Sequence, residues 1–171
     1  MIEIKEATLQ DIPAMRTVAI SSYADTFSAS NTPENMEAFF KSAYSLDAFV
    51  KEFHEPNSRI YLAWETDQLV GFARMRECDE VKSLLGDNTV ELQRIYVLTS
   101  AQGKSVGRLL MEAALAFAIQ RKYDWIWLGV WEQNFKAQRF YKAWGFEKFS
   151  EHTFWMGDDP QVDWLLRRKL G

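Results

Sequence analysis

The sequence predicts one mixed α/β domain, and three observations support this fold class. The length of 171 residues suits a single domain of ordinary size. Segments with the two-residue alternation of β-strands are interrupted by segments with the helical period. The run WIWLGVW, residues 125–131, is apolar nearly throughout, which is typical of a strand buried on both faces. We therefore expect residues 1–171 to form one domain around a mixed sheet.

The N-terminal part of the chain predicts one strand followed by three helices. IEIK alternates as a strand does, and the next segment begins with Thr8 and Asp11, spaced as in a capping box. Thr32 and Pro33 have the residue types that favour the cap and the first turn of a second helix, and Pro56 ends a third. The four segments are IEIK (2–5), TLQDIPAMRTVAISSYADTF (8–27), TPENMEAFFKSAY (32–44) and SLDAFVKEFHEP (45–56).

The period then changes from helical to alternating. Two strands are joined by a turn at residues 66–68, and a third strand follows a polar insert. A long helix, the apolar strand 125–131, a short helix with Asn134 at its start and Gly145 past its end, and two closing strands complete the order. The segments are SRIYLAWE (58–65), LVGFARMRE (69–77), TVELQRIYVL (89–98), NFKAQRFYKAWG (134–145), FEKFSEHTFWMG (146–157) and QVDWLLRRKL (161–170).

Composition limits the function classes. A net charge of −4 disfavours non-specific nucleic-acid binding and suits a cationic partner. With one cysteine, Cys78, an internal disulfide is excluded, and no signal peptide or membrane span is recognisable. We therefore expect a cytoplasmic protein with no nucleic-acid partner. The many Trp and Phe residues predict an aromatic core, with aromatic walls around a cleft as the alternative.

The loop SAQGKSVG, residues 100–107, connects a predicted strand to the long helix. Backbone N–H groups at a helix start lack internal partners and carry partial positive charge, so such a junction binds anions. The P-loop motif is excluded because it needs glycine where Leu98 stands, and the dinucleotide motif is excluded because Gly103 and Gly107 are four residues apart. A plain loop-to-helix junction remains the alternative.

A third phosphate motif fits this loop. Gln102 to Gly107 resembles the acyl-CoA pyrophosphate loop of the GNAT N-acetyltransferase superfamily, [QR]-x-x-G-x-[GA], with Ser105 in place of the first glycine. Downstream, NFKAQRFYKAWGF resembles the pattern N-x-x-A-x-x-F-Y-x-x-x-G-F of the same superfamily at every fixed position, from Asn134 through Tyr141 to Phe146. The resemblance implies a GNAT fold, in which the strands ELQRIYV and WIWLGVW splay apart around the pantetheine arm.

The C-terminal half resembles a subgroup more closely. VWEQN, HTFWMGDD and QVDWLL are similar to segments of the bacterial spermidine/spermine acetyltransferases of the PaiA type. This resemblance implies an acetyl-CoA-dependent N-acetyltransferase that transfers acetyl directly, in a ternary complex, to a primary amine such as spermidine or spermine. No metal is expected, and a homodimer is compatible with the resemblance. A different acceptor (a peptide N-terminus, an amino sugar or an antibiotic) and a non-catalytic acyl-CoA sensor remain alternatives.

The resemblance also implies roles for individual residues. Tyr141 is expected to be the general acid that protonates the leaving thiolate, and the Asn134 amide is expected to bind pantetheine. Acetyl-CoA is expected to contact the strand backbone and the loop, at Ile95, Tyr96, Val97, Gln102, Gly103, Lys104, Ser105, Val106, Gly107 and Arg108.

The general base and the acceptor site are less specific in the sequence. Glu91 and Glu132 are the candidate bases, because each is a carboxylate on or beside a strand of the expected cleft. His152 is a third candidate with a suitable intrinsic pKa, although a lone histidine on a strand is more often structural. Acidic and aromatic residues of the N-terminal helices are candidates for binding a polyamine; these are Tyr23, Asp25, Glu34 and Glu37, with Asp158 and Asp159 as a further acidic pair.

Overall fold

The computed structural model describes residues 1–171. Its seven strands are β1 (Ile2–Glu6), β2 (Arg59–Glu65), β3 (Gln68–Arg76), β4 (Thr89–Val97), β5 (Trp125–Trp131), β6 (Glu147–Met156) and β7 (Asp159–Lys169). Its helices are α1 (Ile12–Phe27), α2 (Pro33–Ala43), α3 (Leu46–Phe53), α4 (Lys82–Leu85), α5 (Val106–Gln120) and α6 (Phe135–Ala143). The polar insert before β4 thus contains one short helix, which the sequence analysis did not predict.

Side-chain caps determine where three of the helices begin. Thr32 accepts a hydrogen bond from the backbone N–H of Asn35, and Ser45 accepts one from Ala48 in the same way. Asn134 caps α6 by accepting from Ala137. Each cap satisfies an N–H group that the first helical turn would otherwise leave unpaired.

All seven strands form one mixed sheet in the order β1-β2-β3-β4-β5-β7-β6. Neighbouring strands are antiparallel except for β4 and β5, which are parallel. The parallel pairing covers only Thr89–Glu91 against Trp125–Trp127, and beyond it the two strands diverge. The structure therefore confirms the predicted mixed α/β class and the splayed strand pair.

Alternation along the strands divides the core between the two faces of the sheet. Leu62 and Phe72 pack in one cluster with residues of α1, α2 and α3, whereas Ala63 and Ala73 pack in another with α5 and α6. Trp127 is buried in a small third cluster. No helix of the structure is long and apolar enough to cross a lipid bilayer.

Gly71 fixes the approach of β4 and α5 to β3. A Cβ atom there would lie 2.6 Å from the carbonyl oxygen of Tyr96 and 3.2 Å from the Val106 side chain. Because the nearest atom belongs to the backbone, no side-chain rotation can relieve the clash.

We predict that Gly71→Ala lowers the free energy of unfolding by about 2 kcal/mol, because the methyl group overpacks a strand interface. Denaturant unfolding followed by circular dichroism measures the loss. Gly107→Ala is the matched control, since a Cβ there would meet nothing closer than 3.6 Å. Equal effects of the two substitutions would contradict the steric explanation.

Candidate active site

A cavity of about 990 Å³ occupies the gap between the diverging strands. Its walls come from the C-terminal half of β4, the end of β5, the start of β7, the loop before α5, helix α6, and helices α1 and α2. Helices α1 and α2 pack on the face of the sheet opposite to α5 and α6. The edge of β4 that faces β5 has no strand partner beyond Glu91, so its backbone polar groups remain open to an extended ligand. Ile95, Tyr96 and Val97 all line the cavity there.

The loop before α5 presents unpaired backbone donors to one end of this cavity. No N–H group from Gly103 to Arg108 has an acceptor within the chain, and the residues of this loop that line the cavity include Ser105 and Gly107. Gly103 has a φ of +79° and Ser105 a φ of +65°, both left-handed. The loop has the features of an anion site, since several amides and the start of a helix converge on it.

Side-chain charges around the loop differ from the expected set. Lys104 does not line the cavity and instead donates to Glu65 at 3.0 Å. Arg108 lines the cavity while paired with Glu112 at 2.7 Å. Lys136, which the sequence analysis did not single out, lines the cavity and donates to the side chain of Gln102. Lys136 is the second residue of α6, and it reaches the loop only because the tertiary fold brings α6 beside it.

Asn134 and Tyr141 both face the cavity from the α6 region. The Asn134 side-chain oxygen is used by the cap to Ala137 at 3.2 Å, which leaves its NH₂ group free to donate. Burial raises the pKa of Tyr141, with a further contribution from nearby Tyr96. Because its hydroxyl has no partner within the chain, Tyr141 is a protonated donor available to a ligand.

Tyr44 and Tyr96 lie beside a buried ion pair. The hydroxyls of Tyr44 and Tyr96 are hydrogen-bonded to each other, and burial raises the pKa of both. Arg94 lies over the Tyr44 ring and donates to both carboxylate oxygens of Glu52, at 2.5 and 2.9 Å. This bidentate contact links α3 to β4 at the cavity wall.

The opposite end of the cavity is an aromatic chamber, formed by Tyr23, Phe27, Phe39, Trp131 and Phe154. Ring centroids are 4.3 Å apart for Tyr23–Phe27, 4.5 Å for Tyr23–Phe39 and 5.2 Å for Phe27–Trp131. Two carboxylates also line the cavity. Asp25 accepts from the Thr99 hydroxyl at 2.7 Å, and Asp163, on β7, lies opposite Trp131 of β5.

Comparison with known proteins agrees with this geometry. The Acetyltransferase (GNAT) family matches residues 19–146, a range that contains the loop, both diverging strands and α6. The chain belongs to the GNAT acetyltransferase family. An uncharacterised N-acetyltransferase of Lactobacillus delbrueckii subsp. lactis is 32% identical over 173 residues, covering 99% of this chain and 98% of the relative. This chain is therefore an N-acetyltransferase of the GNAT type.

More distant relatives come from Thermoplasma acidophilum. A spermidine N(1)-acetyltransferase of this organism is 23% identical over 173 residues, covering 98% of this chain and 97% of the relative. The crystal structure of its PaiA N-acetyltransferase in complex with coenzyme A has a TM-score of 0.82 at 21% identity, covering 99% of both chains. At this identity the structural likeness shows the shared GNAT fold.

The carboxylates expected to serve as general base in this GNAT protein do not line the cavity. Glu91 is buried and accepts from Arg76 Nε at 2.6 Å. Glu132 follows the end of β5, where its backbone N–H bonds Val162. Neither carboxylate lines the cavity directly, and Glu91 is paired with Arg76.

Of the residues expected to bind the acceptor, some line the cavity and others do not. Tyr23 lines the cavity, whereas Glu34 and Glu37 do not. Glu37 pairs with Lys41 at 2.7 Å on the exposed face of α2, because the amphipathic helix turns its apolar face to the core. Asp163 lines the cavity but was not among the residues predicted from the sequence. Its only signal was the alternation in QVDWLL, which placed it on one face of a strand without showing what that face contacts.

Ser105 provides a test of the loop geometry. We predict that Ser105→Gly raises the free energy of unfolding by about 0.5 kcal/mol. Glycine relieves the strain of the left-handed backbone, and its greater conformational entropy in the unfolded chain cancels part of this stabilisation. Ser105→Ala is the control, since it removes the hydroxyl and keeps the strain. Urea unfolding measures both variants, and a Ser105→Gly protein no more stable than Ser105→Ala would contradict the prediction.

Proposed function

We propose that this GNAT protein transfers acetyl from acetyl-CoA to a primary amine by direct attack in a ternary complex, and that the amine is a polyamine such as spermidine or spermine. One observation carries the proposal. A single cavity is lined at one end by the unpaired amides of the loop and at the other by aromatic rings with a carboxylate. Such a cavity suits an anionic donor at one end and a cationic acceptor at the other.

The donor half suits acetyl-CoA. The amides of residues 103–108 would bind the pyrophosphate, with Lys136 and Arg108 nearby as positive charges. The open edge of β4 would pair with the amide groups of the pantetheine arm as an added strand, and the free NH₂ of Asn134 would donate to the same arm. These contacts would direct the thioester toward Tyr141.

In the reaction the nitrogen loses two protons and the departing thiolate gains one. An alkylammonium ion has a pKa near 10, so it must first release a proton to solvent water before its nitrogen can attack the thioester carbon. The C–N bond then forms, the C–S bond breaks, and the nitrogen releases a second proton. Tyr141, kept protonated by burial, would give its proton to the departing thiolate and recover one as the nitrogen becomes an amide.

The polyamine acceptor is supported by three points. A spermidine N(1)-acetyltransferase is similar over almost the whole chain, the net charge is −4, and the acceptor end is lined by rings that favour cations. A peptide N-terminus, an amino sugar or an aminoglycoside antibiotic shares the same reactive group, so the acceptor assay must include them.

Thiol release from acetyl-CoA with a panel of amines tests this function. The panel contains spermidine, spermine, an N-terminal peptide, an amino sugar and an aminoglycoside. The proposal predicts the highest kcat/KM for spermidine or spermine. A higher value for another amine would retain acetyl transfer and reject the polyamine. Tight CoA binding by calorimetry, without thiol release for any amine, would favour the non-catalytic acyl-CoA sensor.

Tyr141→Phe tests the general acid. We predict that kcat falls about 100-fold, because the thiolate loses its proton donor, while the Kd of CoA changes less than about twofold, because the ring still fills its site. Steady-state thiol release and calorimetry measure the two quantities. Tyr61→Phe is the matched control, because Tyr61 does not line the cavity. An unchanged kcat in Tyr141→Phe would reject the assignment.

A further inference from the structure

The Asp163 carboxylate borders the cavity beside Gly129 of the neighbouring strand β5. Gly129 of β5 has no side chain, and a Cβ atom there would lie 3.7 Å from Asp163 Oδ2. Both residues line the cavity. Glycine inside a buried strand weakens it, and often marks a place where a ligand approaches closely. The missing side chain therefore leaves the carboxylate accessible from the chamber.

Two further ionisable groups stand behind this carboxylate. His152 is the register partner of Asp163 across β6 and β7, with its Nε2 atom 3.4 Å from Asp163 Oδ2. Its Nδ1 atom bonds Glu80, in the segment between β3 and α4. The hydrogen bond to Asp163, followed by that to Glu80, raises the pKa of His152 to about 9. At neutral pH the imidazole is therefore a cation between two carboxylates, and the trio carries one net negative charge.

The surroundings of Asp163 suit an organic cation. Tyr23 is close enough that the negative charge of Asp163 contributes to its raised pKa, after burial and Tyr96. Trp131 lies directly opposite Asp163 in the sheet, and Phe154 lines the same chamber. A carboxylate within aromatic walls combines ion pairing with cation–π attraction, and a protonated amine satisfies both.

Asp25 is the other carboxylate of the cavity, and it differs in its contacts. One of its oxygens accepts from the Thr99 hydroxyl at 2.7 Å, and no cation of the chain pairs with it. Its bond to Thr99 joins α1 to the turn after β4, which gives Asp25 a structural role. Asp163 instead contacts His152 through Oδ2, and the same oxygen borders the open space over Gly129.

We propose that Asp163 binds the cationic amino group of the acceptor in the aromatic chamber, and that His152 and Glu80 act as positioning residues that orient its carboxylate. The inference rests on the proposed amine acetylation and names the residue that recognises the amine. It selects acceptors in which the ammonium group bound by Asp163 is followed by an apolar segment, because the walls next to Asp163 are rings.

Shared use of one carboxylate has a thermodynamic consequence. An ammonium ion bound to Asp163 stands beside the imidazolium of His152, so each cation disfavours the other. Amine binding must therefore lower the pKa of His152, and by reciprocity protonation of His152 must weaken amine binding. A carboxylate with a structural role alone would not couple the two events.

NMR titration of the histidine ring protons tests this coupling without requiring turnover. The chain has two histidines, His54 and His152, so His54 is an internal control. The titration uses CoA-bound protein alone, with saturating spermidine, and with saturating 2-phenylethylamine. We expect at least one amine to move the pKa of His152 from about 9 toward 6.5, with His54 unchanged. An unchanged His152 with both amines, bound or not, would overturn the inference.

Asp163→Asn supplies the second measurement. We expect calorimetry to show amine affinity at least about tenfold weaker, since an ammonium–carboxylate contact is replaced by a neutral one, with CoA affinity unchanged. Glu151→Gln is the matched control, because this neighbour of His152 is exposed and bonds only Lys148. Wild-type amine affinity in Asp163→Asn would also overturn the inference. Amine binding coupled to His152, without thiol release from any amine, would reject the proposed function and retain the subsite.

Discussion

The divergence of β4 and β5 is the constraint on which the rest of this structure depends. The two parallel strands pair over Thr89–Glu91 and Trp125–Trp127 and then separate. A sheet interrupted in this way leaves backbone groups of two strands without strand partners, which in a protein interior costs free energy unless a ligand or water satisfies them. The structure tolerates the gap because β5 remains fully paired with β7 on its other edge. The cavity is therefore part of the sheet architecture.

Charge is distributed along this cavity in a way that matches the two substrates of an acetyltransferase. Free amides and Lys136 are at the donor end, and Asp163 stands among aromatic rings at the acceptor end. The donor end relies mainly on backbone groups, which are fixed by the turn after β4 and by the start of α5. The acceptor end relies on side chains from α1, α2, β5, β6 and β7. In the proposed function, the backbone groups would accept any acyl-CoA, whereas the side chains would select the amine.

A buried ionic network forms part of the cavity wall. Arg94 donates to Glu52, and fully buried Arg74 pairs with Glu55 at 2.5 Å and donates to Gln93. Burying such charges costs desolvation free energy that good geometry only partly returns. Its structural effect here is directional, because it ties α3 to β3 and β4 and thereby positions the Tyr44–Tyr96 pair at the cavity.

The sequence by itself determined the features that are encoded locally. Alternation, helical period, cap residues and the apolar run of residues 125–131 together predicted the seven strands and all α-helices except α4, since these patterns reflect which face of an element is buried and where it begins. The loop before α5 and the α6 pattern each singled out candidate residues, among them Asn134 and Tyr141, because each motif is a short contiguous stretch. The structure retains these features because the geometry of strands, turns and helices depends on residues that are close in sequence.

Only the tertiary structure decided which charged side chains reach the cavity. Glu91 was a reasonable candidate from its strand position, yet Arg76 on the adjacent strand pairs with it. Asp163 reaches the chamber through the register of β7 with β5 and through the missing side chain of Gly129. Both outcomes depend on contacts between residues far apart in the chain. A carboxylate has the same chemistry in every segment, and its role is set by the neighbours that folding supplies.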